Sequence, residues 1–341
     1  MYWCFPVKHD RMNTYIFVNR KSGFMVNEKE NVIVMIGPTA VGKTKLSIEL
    51  AKKINGEIIS GDSMQIYKGM DIGTAKIKRD EMEGIPHHLI DIKEPTESFS
   101  VAQFQALVRP LITEISNRGK VPMIVGGTGL YIQSVIYDYK FTESNTNEAL
   151  RIELEKKVES VGRLSLYEQL KKVDPVSAQK IHPNNVRRVI RALEIYYDTG
   201  KKMSEIEETN QHDPIYNVAL IGLTMDRSIL YKRINERVDL MVEEGLVEEV
   251  KCLYDQGLRD CQSIQAIGYK ELYDYFNGNQ TLDEAIEALK QNSRRYAKRQ
   301  LTWFRNKMDV KWFDMTPPIT LDEKLNEIFQ YVAGKFYVKE N

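Results

Sequence analysis

Apolar residues fall in short runs over the first half of the chain and at helical spacing beyond it. Residues 1 to about 30 have no clear period, and Met12 and Met25 lie inside that stretch. It is expected to be a peripheral or disordered extension reached from an upstream start codon. From Asn31 the pattern alternates between strand and helix. VIVMIG (Val32–Gly37) is an apolar run closed by glycine, as a buried parallel strand requires. Lys43–Ile54 places Leu46, Leu50 and Ile54 on one helical face. GEIISGDS (Gly56–Ser63) predicts a second strand and VPMIVGG (Val121–Gly127) a third. Between them Ser100 opens an S-x-x-Q capping box and a helix to about Asn117, with a kink or break expected at Pro110.

The texture changes at Phe141. Residues 141–213 are polar and helical, and they close in the charged loop EIEETNQHDP. YNVALIGLTM (Tyr216–Met225) then returns as a strand, and from Arg227 the chain is expected to be helical to its end. A strand that resumes after a helical block implies an insertion inside one core. The expected fold is therefore α/β, a P-loop NTPase-like parallel sheet flanked by helices. Residues 31–140 and 214–330 would form the core and 141–213 a helical insertion domain.

Composition narrows the class. Hydrophobic residues make up 42% and charged residues 28% of 341, a balance suited to a globular enzyme. No apolar run is long enough to span a bilayer, and the first residues lack a signal-peptide core, so a cytoplasmic protein free of membrane is expected. Cys4, Cys252 and Cys261 form no C-x-x-C pair, against a disulfide framework or a zinc site. The formal net charge is zero, so any nucleic-acid surface must be a local patch.

Gly37-Pro-Thr-Ala-Val-Gly-Lys-Thr44 matches G-x-x-x-x-G-K-[ST] between a predicted strand and a predicted helix. Glycines in such a loop let backbone N–H groups surround phosphate oxygens, and the helix N-terminus adds its dipole. Lys43 would reach the terminal phosphates and Thr44 a Mg²⁺ ion. The motif certifies a phosphate ligand and by itself would suit ATP.

Asp62 stands where the second strand runs out, at the sheet edge where ligands of open α/β sheets bind. It is either a general base or a cap on the turn before Ser63. Gly126-Gly-Thr-Gly129 would bring Thr128 to the same edge. His87 and His88 show no ligand spacing and are expected to be structural.

Basic residues cluster in three places. HPNNVRRVIRALE sets Arg187 and Arg191 one helical turn apart beside Arg188. QNSRRYAKRQLTWFRNK (Gln291–Lys307) interleaves Arg294, Arg295, Lys298, Arg299, Arg305 and Lys307 with Tyr296, Trp303 and Phe304. That mixture suits single-stranded nucleic acid, and equally a solvated helix whose aromatics turn to the core. Arg233 and Arg237, at i and i+4, could clamp a diphosphate or pair with Glu236 and Asp239.

In this order the motifs resemble the tRNA dimethylallyltransferase (tRNA isopentenyltransferase) family, from about Val32 to Phe313. The pieces are GPTAVGKT (37–44), SGDSMQIYKGMDIGTAK (60–76), GGTGLY (126–131), HPNNVRRVIRALE (182–194), RINERVDLM (233–241), QAIGYKEL (265–272) and YAKRQLTWFR (296–305). The second is far more specific than the phosphate loop, and ordinary P-loop kinases lack it. No Cys or His follows Cys261, so the zinc finger of eukaryotic members is missing and the resemblance is to the bacterial type.

The resemblance implies transfer of a dimethylallyl group from dimethylallyl diphosphate to N6 of adenosine 37, beside the anticodon of tRNAs reading codons that begin with U. It implies a catalytic set of Asp62, Lys43, Arg233 and Thr128, with Asp62 as the base. The diphosphate would lie on Gly37, Pro38, Thr39, Ala40, Val41, Gly42, Lys43, Thr44 and Arg237, with Mg²⁺ on Thr44. The anticodon stem-loop would meet Asp62, Ser63, Met64, Gln65 and Thr128. Further contacts would come from Arg151, Arg187, Arg188, Val189, Ile190 and Arg191, from Gln265, Gly268, Tyr269 and Lys270, and from Lys298, Arg299 and Arg305. The enzyme is expected to act as a monomer. Competing readings are a small-molecule kinase, an adenylate isopentenyltransferase using AMP or ATP, and an RNA-binding module without catalysis.

Overall fold

The computed structural model describes residues 29–141, 148–209 and 213–336. Residues 1–28, which hold nearly all of the expected extension, lie outside them.

In chain order the elements are β1 (Asn31–Ile36), α1 (Lys43–Ile54), β2 (Gly56–Ser60), β3 (His87–His88), α2 (Val101–Asn117), β4 (Val121–Gly126) and α3 (Gly129–Ile136). Five helices follow: α4 (Glu148–Val161), α5 (Arg163–Val173), α6 (Pro175–Lys180), α7 (Val186–Thr199) and α8 (Met203–Thr209). The chain then forms β5 (Asn217–Thr224), α9 (Arg227–Glu243), α10 (Leu246–Asp255), a 3₁₀ turn at Ser263–Gln265, α11 (Tyr269–Phe276), α12 (Leu282–Lys307), β6 (Lys311–Asp314) and α13 (Leu321–Phe336).

These elements divide into two compact units, one running to Ile136 and resuming at Ile215, the other spanning Tyr137–Pro214. The first is a six-stranded sheet in the order β3-β2-β4-β1-β5-β6, parallel throughout. The central strand β1 is buried from Val32 to Ile36, which explains its unbroken apolar run. Leu46, Leu50 and Ile54 of α1 pack with Ile33, Met35 and Ile221 in the core.

Two strands escape the apolar pattern. β3 is a two-residue edge built from His87 and His88. β6 buries only Phe313, so its four residues carry no run to read, and the chain after Arg227 is not all helix. The capping box is present: the Ser100 hydroxyl accepts from Gln103 N–H, and the Gln103 side chain accepts from Ser100 N–H. Helix α2 passes Pro110 without a break, because Phe104, Val108, Ile112 and Ile115 anchor its buried face while Pro110 faces solvent.

The second unit is helical and has its own core, in which Leu154, Leu166, Leu170, Val189, Ile190 and Leu193 meet. The expected loop EIEETNQHDP begins inside α8, and residues 210–212 lie outside the described residues. No described helix is long and apolar enough to cross a membrane.

Candidate active site

Strands β1, β2 and β4 all end at one edge of the sheet, and the segments leaving them surround a cavity of about 640 Å³. That is within the range of a small-ligand site. The loop after β1 turns through left-handed conformations at Ala40 (φ 63°) and Gly42 (φ 102°), then enters α1 at Lys43. Thr39, Ala40, Gly42, Lys43 and Thr44 line the cavity. Gly37, Pro38 and Val41 stand behind it: Val41 is buried in the core, and Pro38 has no N–H to offer.

Lys43 Nζ donates to the carbonyls of Gly37 (2.9 Å) and Pro38 (2.7 Å). Burial, and next the positive charge of Arg237, bring its pKa down to about 8, against an opposing pull from Asp62. A phosphate oxygen would therefore meet two cations that repel each other until an anion joins them.

Asp62 faces the same cavity from the end of β2. Its Oδ1 accepts from Met64 N–H at 2.8 Å, so the carboxylate caps the turn and lines the site at once. Burial raises its pKa, opposed by the Met64 N–H and by Lys43. A carboxylate pushed toward its protonated form is a better proton acceptor than one in water.

Gly126 sets the next neighbour. A Cβ there would lie 2.4 Å from Gly61, so only glycine lets β4 close on the exit of β2. The result is that Thr128 Oγ1 accepts from Ser63 N–H at 3.2 Å, bracing the Asp62 turn from behind. Thr128 is not among the lining residues. Tyr296 and Gln300 of α12 complete that wall, and Gln300 Nε2 donates to the Gly127 carbonyl at 3.0 Å. The Tyr296 pKa is pushed up to about 12, by burial first and then by the charge of Asp62. The alternation of basic and aromatic residues pointed to Tyr296, whereas nothing in the spacing singled out Gln300.

The two arginines of α9 part company. Arg237 lines the cavity beside Lys43, whereas Arg233, one turn earlier, is exposed and absent from the lining. Their expected acidic partners pair elsewhere, Glu236 with Lys232 and Asp239 with Lys290. His87, expected to be structural, lines the cavity as well, with Nδ1 on Ile85 O at 2.8 Å.

The expected acceptor contacts also sort by burial. Ser63, Met64, Gln65, Gln265, Lys270 and Arg299 line the cavity, and Lys298 and Arg305 are exposed on α12. Tyr269 is fully buried, and the Gly268 N–H is taken by Glu271, so neither presents a free group. In the helical unit Arg151, Arg187, Arg188 and Arg191 reach the surface, Arg188 pairing with Glu207 and Arg191 with Glu194. Val189 and Ile190, in contrast, are core residues of that unit. The reason is the amphipathic period of α7, which turns these two inward wherever the arginines turn outward.

Among the described residues no group of three or more His, Cys, Asp or Glu could hold a metal ion. Magnesium fits another way, through the exposed Thr44 at the loop and oxygens of a bound diphosphate, since it commonly binds substrate phosphates through one or two protein groups.

Comparison with known proteins decides the family. A family model described as IPP transferase matches residues 65–307. A protein of Bacillus pumilus named tRNA dimethylallyltransferase is 66% identical over 315 residues, covering 92% of this chain and 99% of that protein. The chain belongs to the tRNA dimethylallyltransferase family. A Bacillus subtilis member of the same name is 64% identical over 311 residues, which are 91% of this chain and 99% of that protein. Among solved structures, the tRNA isopentenylpyrophosphate transferase of Bacillus halodurans is 60% identical with a TM-score of 0.69, covering 90% of this chain and 97% of that one. A eukaryotic dimethylallyltransferase acting on tRNA is 34% identical with a TM-score of 0.78, covering 92% and 81%. The loop at 37–44 and the turn at Asp62–Gln65 meet across one cavity.

Proposed function

We propose that this enzyme transfers the dimethylallyl group of dimethylallyl diphosphate to N6 of adenosine 37 in tRNAs reading codons that begin with U. The observation that carries the reading is the placing of Lys43 with Arg237 and of Asp62 in one cavity. Cations there suit a leaving diphosphate, and a buried carboxylate suits the proton of an attacking amine.

In the reaction the N6 lone pair attacks the allylic carbon C1 as the C1–O bond to the diphosphate breaks. The bonding electrons leave on the diphosphate, where Lys43, Arg237 and the loop N–H groups stabilise the growing charge. The N6 proton passes to Asp62, held by its bond to Met64 N–H. Thr44, with oxygens of the diphosphate, would hold Mg²⁺, which when bound neutralises part of that charge. A stacked adenine must be extruded to reach such a cavity, and the exposed cations Lys298 and Arg305 suit the flanking RNA backbone. The enzyme in this reading works in the cytoplasm on the anticodon stem-loop. A kinase would need none of these acceptor groups, and relatives of this identity bear the name of the tRNA enzyme.

The test is incubation with radiolabelled dimethylallyl diphosphate and either an anticodon stem-loop or AMP. Label in the stem-loop and little in AMP is expected. Transfer to AMP with none to RNA would replace the reading by an adenylate isopentenyltransferase.

A further inference from the structure

We propose that Glu249 on α10 is a positioning residue for the reaction, fixing the 71–75 wall of the cavity and through it the turn that carries Asp62. This rests on the transfer reaction proposed above. Three consecutive backbone N–H groups converge on the Glu249 carboxylate: Asp71 (2.9 Å) and Ile72 (2.8 Å) on Oε2, and Gly73 (3.1 Å) on Oε1. The Tyr269 hydroxyl donates to Oε1 at 2.5 Å from the N-terminus of α11. A concave run of amides closed on an anion is a strong local clamp, and here the anion comes from a helix some 178 positions away.

The clamp bears on the site because of what the segment does next. Gly73, Thr74 and Ala75 line the cavity. The carbonyls of Thr74 and Ala75 accept from Gln65 Nε2 at 3.2 and 3.4 Å, and Gln65 Oε1 accepts from the Ser60 hydroxyl at 3.0 Å. Gln65 thus joins the clamped segment to the strand end and turn that hold Asp62. Gly73 is fitted closely as well: a Cβ there would meet the Tyr269 ring at 2.5 Å. Burial and the charge of Glu249 raise the Tyr269 pKa, so its phenol remains a donor at any working pH. Glu249 itself does not line the cavity, and so it acts through the wall.

The experiment compares Glu249→Gln with wild type, and with Glu248→Gln as a neighbouring surface control. Glu249→Gln is expected to lower kcat about tenfold or more through misplacement of the acceptor wall. Affinity for inorganic diphosphate, a probe of the Lys43 side, should stay unchanged. Hydrogen exchange of the 70–76 peptide should accelerate in Glu249→Gln and stay as in wild type in Glu248→Gln. Wild-type kcat with slow exchange in Glu249→Gln would overturn the proposal, as would equal loss of diphosphate binding and kcat. If Glu249→Gln fails to fold, Tyr269→Phe serves, since it removes one hydrogen bond and keeps the ring against Gly73. An inactive wild type would sink the transfer reading, whereas an exchange rate unaltered in the variant would sink the clamp.

Discussion

Replacing Arg237 by Gln should separate the two arginines of α9 and move a pH limb at the same time. Arg237 is recessed beside Lys43 in the cavity, so a diphosphate leaving there loses one charged donor when it is removed. A preorganised donor of this kind is worth about 3 kcal/mol in the barrier, so kcat/KM should fall on the order of a hundredfold. Arg233→Gln removes an exposed charge outside the lining and should cost about threefold or less. The second effect follows from the Lys43 ammonium. Its pKa of about 8 is set by burial first and by Arg237 next. In the proposed role Lys43 would bind phosphate as its ammonium form, so kcat/KM of wild type should decline as pH rises through about 8, where the free enzyme loses that proton. Taking away the Arg237 charge lets the pKa rise, and the declining limb should move to higher pH although the plateau is lower. The assay is initial rate of labelled transfer to a stem-loop between pH 6 and 10, at concentrations well below KM. An unmoved limb, or a larger loss in Arg233→Gln than in Arg237→Gln, would refute the pairing of Arg237 with Lys43.

Asp62→Ala should reduce transfer roughly 10²- to 10⁴-fold in single-turnover assays, the usual range for a positioned base, and full activity would remove Asp62 from that role. Glu57→Gln should destabilise the fold by about 1–3 kcal/mol in urea titrations at pH 7, because the buried carboxylate accepts from His88, Arg118 and Lys120. Burial opposes its ionisation, yet those three partners hold its pKa down to about 2 against 4.5 unfolded. Its contribution is therefore full above about pH 4.5 and lost as pH falls toward 2, so the gap between variant and wild type should narrow at pH 3. Binding of the stem-loop, followed by fluorescence anisotropy, should weaken with salt. Removing Lys298 and Arg305 together should lower the log–log slope by about 1 per charge, and an unchanged slope would take α12 off the RNA.

Much of the core was readable because its signals are local. The apolar runs of β1, β4 and β5 need no distant partner to be recognised, and the loop at 37–44 carries its own spacing. Edge strands were not readable. β3 is two histidines and β6 a single buried phenylalanine, and both exist only through their ladders to β2 and β5. The site was legible as motifs and not as geometry. Arg233 and Arg237 are equivalent in sequence, and only the packing of α9 turns one into the cavity. Val189 and Ile190 sit between arginines in the chain and face the opposite way in the helix. Glu249 was invisible, since its partners are backbone amides that carry no residue type.

The proposed reaction takes N6 of the adenosine beside the anticodon as its acceptor atom. It is tested most directly by nucleoside mass spectrometry of a stem-loop incubated with the enzyme and dimethylallyl diphosphate, next to the same stem-loop carrying inosine at position 37. A dimethylallyl-adenosine is expected in the first and no prenylated nucleoside in the second, because inosine has no exocyclic amine there. Equal prenylation of both RNAs would contradict it.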